Sequence, residues 1–180
     1  MGWKYQVKIN QVNFSYSPLE DRLLFRFNTL NKNEFRMWLT RSMSVKLLGL
    51  LARAVKITLI LEQPGLKAVA VEKLEEFRRE AVLAQADYAQ PFSAGAEILP
   101  LGAQPILVAD IIMDASQQVS VVTFLLSHGQ QVNLSLNHDL GVAVRKLLSD
   151  VVDGLDWGLG IQKELPVAEI GNSCEKMMLH

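Results

Sequence analysis

Arg22-Leu23-Leu24-Phe25-Arg26-Phe27-Asn28, followed after a loop rich in Asn and Lys by Glu34-Phe35-Arg36-Met37-Trp38-Leu39-Thr40, is the stretch on which the fold turns. Side chains alternate faces along a strand, so Leu23, Phe25 and Phe27 share one face and Arg22, Leu24 and Arg26 the other. Phe35, Met37 and Leu39 repeat the pattern, with Glu34, Arg36 and Trp38 opposite. Two such runs joined by turn-forming residues predict an antiparallel pair. Thr40 then sits where a helix N-cap belongs, its hydroxyl placed to accept from a free backbone N–H. Ser42 to Glu62 is apolar almost all round, with Lys46, Gly49, Arg53 and Lys56 on one narrow stripe. Such a helix is buried on most sides. Its β-branched end, Val55 to Ile60, leaves a strand as the alternative there.

The same order recurs downstream. Sliding residues 21–51 onto 118–148 without a gap, an offset of 97, lays strand on strand, turn on turn and helix on helix. Phe27 meets Phe124, Leu39 meets Leu136, Val45 meets Val142, and Leu50-Leu51 meets Leu147-Leu148. Thr40 falls on Asn137, so both helices begin with a capping side chain. The expected fold class is therefore α+β: two antiparallel β-β-β-α units related by internal duplication, with an extra helix between them. Each sheet is expected to bury one face under its own helix, the units packing about a pseudo-two-fold axis.

Working outward, Tyr5 to Asn10 and Val12 to Tyr16 alternate out of phase, which a bulge near Asn10-Gln11 reconciles. Ser17 to Asp21 has turn chemistry. Ile106 to Met113, Gln118 to Leu126 and Gln131 to Leu136 are the strands of the second meander, with a tight turn at His128-Gly129. Between the units, a helix from about Leu66 to Tyr88 carries Ala70, Leu74, Phe77, Ala81, Ala84 and Tyr88 as one seam. Glu75 and Arg79 are spaced to pair on its outside. The last helix has a stripe of Leu140, Val144, Leu147 and Val151 with Leu148 beside it, and Gly154 ends it in the left-handed conformation. The expected organisation is residues 1–62 for the first unit, 63–92 for the inserted helix and linker, 93–159 for the second unit and 160–180 for a tail.

Composition narrows the class. With 180 residues, 49% hydrophobic and 21% charged, the chain can build a core without a disulfide or metal staple. Cys174 is the only cysteine, so no intramolecular disulfide or cysteine cluster forms, and no secretory signal is visible at Met1 to Lys8. These point to a cytoplasmic protein. Val45 to Leu61 carries three cations, which speaks against a membrane span. The net charge of −1 divides unevenly: residues 1–60 sum to +7 and residues 61–180 to −8.

The run Glu20 to Phe27, with Glu34 to Arg41, resembles a family of uncharacterised bacterial proteins, a likeness that brings no chemistry with it. In outline, a duplicated sheet-plus-helix unit is similar to the Whirly and Pur-type single-strand-binding proteins. Those units usually have four strands, where three are found here.

Two functional surfaces are expected. Arg22, Arg26, Arg36 and Trp38 face outward on the first meander, and Lys4 and Lys8 can join them, a combination that suits single-stranded nucleic acid. The alternative is a solvated face, or one covered by the acidic half or a partner. Leu74, Phe77, Ala81 and Tyr88 are the candidate homodimer interface. No catalytic constellation, metal site or cofactor fingerprint is present; His128 and His138 read as surface histidines, and Glu72, Glu75, Glu76 and Glu80 as a solvated face. The favoured function is a non-enzymatic binding or scaffold protein that acts through protein–protein contacts as a homodimer, with a further protein partner. Nucleic-acid binding, or an enzyme of scattered residues, is the alternative.

Overall fold

The computed structural model describes residues 4–7, 9–65, 67–85, 92, 98–115, 119–155 and 157, the first four by backbone alone. The strands are β1 (Lys4–Val7), β2 (Ile9–Ser17), β3 (Arg22–Thr29), β4 (Glu34–Leu39), β5 (Ile106–Asp114), β6 (Ser120–Leu126) and β7 (Gln131–Leu136). The helices are α1 (Arg41–Glu62), α2 (Ala68–Gln85) and α3 (His138–Asp153). The protein is α+β. Val55 to Ile60 belongs to α1, so the strand alternative at that end does not occur.

The strands of both halves belong to one sheet. Its strand order is β1-β7-β6-β5-β4-β3-β2, with the halves joined where β4 pairs β5 in parallel. β1 at one edge and β2 at the other are consecutive in the chain, with one residue between them. One intervening residue spans at most about 7 Å between its neighbours' Cα atoms. The two edges therefore meet, and the sheet closes into a barrel in which β1 and β2 act as one long strand. Closure removes the free edges that two separate three-stranded sheets would have exposed.

Strand pairings repeat from one half to the other. Leu23 pairs Leu39 and Asn28 pairs Glu34; 97 residues on, Ser120 pairs Leu136 and Leu125 pairs Gln131. The bulge expected near Asn10 lies between Ile9 and Gln11, and β5 has its counterpart between Val108 and Asp110. Parallel pairing of Met37 with Ile106 is matched by Leu134 with Val7. The first strands correspond at 99 residues rather than 97. That two-residue slip lies in the hairpin, so a gapless comparison of the sequence stops at β3.

Phe25 on β3 and Phe124 on β6 have ring centroids 5.5 Å apart. Those strands are separated by β4 and β5, about 14 Å along a sheet at ordinary strand spacing. The rings meet across the barrel, so the Phe-bearing face is its interior. Phe14 stacks on Phe25 and Phe27 on Phe35 within it. Leu47 and Leu51 of α1 and Val144, Leu148 and Val152 of α3 belong to the same core. The helices pack on each other, α1 also against β5 and α3 against β2, while α2 lies on both. A shared core thus replaces the expected sheet-under-helix pairs.

Local signals at the helix starts hold. Thr40 Oγ1 accepts from Met43 N–H at 3.3 Å and Asn137 Oδ1 from Leu140 N–H at 2.9 Å. Gly129 turns the last hairpin at φ 77°. Gly154 does not adopt the expected left-handed form: its φ is −79° and the chain continues in a helical turn. The α3 core stripe is also rotated by one residue, with Val144, Leu148 and Val152 innermost.

Candidate functional site

The first half's outward face carries Arg22, Leu24 and Arg26 on β3 beside Arg36 and Trp38 on β4. Arg26 pairs directly with Arg36, and Leu24 with Trp38. Like charges opposite each other repel, and the two guanidinium groups bond to different partners. Arg26 donates to Asn13 Oδ1 at 2.9 Å from Nη2 and at 3.3 Å from Nε, and lies over the Phe92 ring at 4.7 Å. Arg36 Nε donates to Glu34 Oε1 at 2.7 Å, and its Nη1 to the Ala103 carbonyl at 3.3 Å. Arg22 lies 3.6 Å from Glu20. Glu34 is fully buried although alternation places it on the outward face; its N–H donates to the Ile98 carbonyl at 3.0 Å. Trp38 is half-buried.

The sequence grouped Lys4 and Lys8 with these arginines. Lys4 pairs with Gln131 of β7, at the far end of the long strand from Ser17, which pairs with Arg22. It does not join them, and Lys8 lies outside the described residues. On the second half the equivalent strand carries Asn133 and Ser135, with Thr123 Oγ1 donating to Asn133 Oδ1 at 2.9 Å.

α2 lies with Val71 buried and Leu74 half-buried against α1 and α3. Arg78 pairs with Glu62 of α1, and Arg145 of α3 with Glu75 at 3.2 Å. These pairs fix the helix's rotation. Phe77 is left 69% exposed near its middle, with Ala81 and Ala84 exposed beside it. The expected seam therefore splits, because Val71 rather than Phe77 faces the core. Tyr88 lies outside the described residues. Glu75 is not solvated as expected, and it bonds Arg145 instead of its helical neighbour Arg79.

One cluster has no counterpart in the sequence reading. Asp21, in the turn between β2 and β3 at φ 48°, accepts from Tyr16 Oη at 2.8 Å, Arg41 Nη2 at 2.7 Å and Trp157 Nε1 at 3.3 Å. Arg41 lies 5.5 Å from the Trp157 ring centre, and Tyr16 meets that ring edge-on. The Tyr16 hydroxyl and then Arg41 hold the Asp21 carboxyl below its ordinary range, while Asp21 pushes the Tyr16 hydroxyl up. Together they fasten the segment after α3 to the β2–β3 turn. Contacts this distant in sequence leave no spacing to read.

His138 is buried, not a surface residue as expected, with its Nδ1 3.3 Å from Asp139; His128 is exposed. Among the described residues no three of His, Cys, Asp and Glu converge as metal ligands. Among the described residues no helix is long and apolar enough to cross a membrane. Cys174 lies outside the described residues. Comparison of the chain with protein-family models, curated proteins and solved structures finds no match.

Proposed function

We propose that this is a non-enzymatic binding and scaffold protein that works as a homodimer joined through α2, in a cytoplasmic setting. The exposure of Phe77 near the middle of a helix whose other side is fastened by two ion pairs carries this proposal. A large aromatic held in water by its own fold is a common mark of a contact surface. A second copy fits that surface by size. In an antiparallel pair of α2 helices crossing near Arg79, Phe77 faces the partner's Ala81 and Leu74 faces its Ala84. Large residues then meet small ones, as close helix packing needs. Ile60 and Leu61, exposed at the end of α1, and Val69 at the start of α2 add apolar surface.

Sedimentation equilibrium at tens of micromolar tests it. Wild type should be dimeric and Phe77→Glu monomeric, with the variant's thermal midpoint unchanged because the position is exposed. A monomeric wild type would end the proposal.

Single-strand nucleic-acid binding through Arg22, Arg26, Arg36 and Trp38 ranks second. The pairing of Arg36 with Glu34 and of Arg22 with Glu20, and the Phe92 ring against Arg26, count against it. Salt-dependent anisotropy of labelled single strands, lost in Arg26→Glu, would reverse the order.

A further inference from the structure

We infer that the cleft between α2 and α3 binds a phosphate group through Arg79, Arg145 and Lys146. The cleft has a volume of about 110 Å³, several times what one water needs. Val55 and Val142 give it apolar lining, and the Ser149 hydroxyl on its wall donates to Asp153 at 3.0 Å. Three cations and one carboxylate, Glu75, line it.

That carboxylate is bonded to Arg145, and Lys146 is paired with Asp150 on its own helix. Glu75 has turned away from Arg79, its expected partner one helical turn on. Among the described residues Arg79 has no recorded partner, and it is exposed. Arg79 is thus left as a cation without a carboxylate partner among the described residues, lining a cleft that has an apolar wall. A phosphate group answers this arrangement. Its oxygens take paired N–H donors from guanidinium groups, and an ammonium can complete the set. The valines would lie against whatever apolar group the phosphate carries. This site and the Phe77 surface lie on different sides of α2, so either can fail without the other.

Isothermal titration with inorganic phosphate and, separately, phenyl phosphate tests the site, with sodium chloride at matched ionic strength as the control. Saturable binding of either ligand is expected, and the stronger of the two identifies a free ion or an ester as the natural ligand. At about ten times Kd the thermal midpoint should rise by about 3–6 °C. Arg79→Gln should weaken binding about ten- to hundredfold while leaving the unliganded midpoint unchanged, since Arg79 has no partner among the described residues to lose. Lys146→Gln, at the opposite wall, should weaken it in the same direction. No saturable heat with either ligand beyond the chloride control overturns the proposal, as does binding to Arg79→Gln at wild-type strength.

Discussion

Phe25 and Phe124 touch at 5.5 Å from strands that two others separate, and this contact marks the middle of the barrel. Both rings are almost wholly buried. Phe124→Ala would remove a large side chain from a place where neighbours on several strands cannot collapse inward together. A loss of about 3–5 kcal/mol in unfolding free energy is expected, measured by urea denaturation. Phe124→Leu, which leaves most of the volume filled, should cost clearly less.

Arg36 neutralises a carboxylate with no exposed surface, since the Glu34 side chain is wholly buried and its Oε2 has no partner among the described residues. Arg36→Met would leave that carboxylate buried without its cation, at an expected cost of about 3 kcal/mol. Adding Glu34→Gln should recover part of the loss. A double-mutant cycle by urea denaturation reads the recovery, and equal instability of the single and double variants would show that the pair is not what holds this edge.

Asp21 makes stability depend on acid. Its folded carboxyl is held below the ordinary value, first by Tyr16 and then by Arg41, so its contribution is present above about pH 4. That contribution disappears as pH falls through the lowered folded value. Tyr16 is raised, so its share is present below about pH 10 and is lost as pH rises through the raised value. Asp21→Asn should lower the midpoint at pH 7 and flatten the acid limb. Thermal melts from pH 2 to 7 check both.

Thr40→Ala and Asn137→Ala each remove a side-chain acceptor from a helix start. Each should cost about 1 kcal/mol by denaturant unfolding. The Asn137 cap, with the shorter bond, should be the more costly of the two.

Much of this fold was legible because its signals are local. Alternation at Leu23, Phe25 and Phe27, the phase break at Asn10 and the caps at Thr40 and Asn137 each depend on residues a few positions apart. Closure is different: Lys4 pairs with Gln131, and neither residue carries a mark of the other. Which side of α2 faces inward was not legible for a related reason. Val71 and Phe77 are both apolar, and the long-range ion pairs of α2 with Glu62 and Arg145 accompany the burial of Val71 and the exposure of Phe77. At the arginines the outward direction was readable from alternation, but their partners Asn13 and Glu34, and the Phe92 ring, were not.

The pairing of β1 with β7 also orders events during synthesis. Lys4 to Val7 is made more than a hundred residues before its partner, Gln131 to Leu134. Loops that long close slowly compared with the hairpins inside each half. β2, β3 and β4 can pair as soon as they are made, while β1 waits. Until β7 arrives the nascent chain presents an open edge, and the final parallel pairing is the step that seals it.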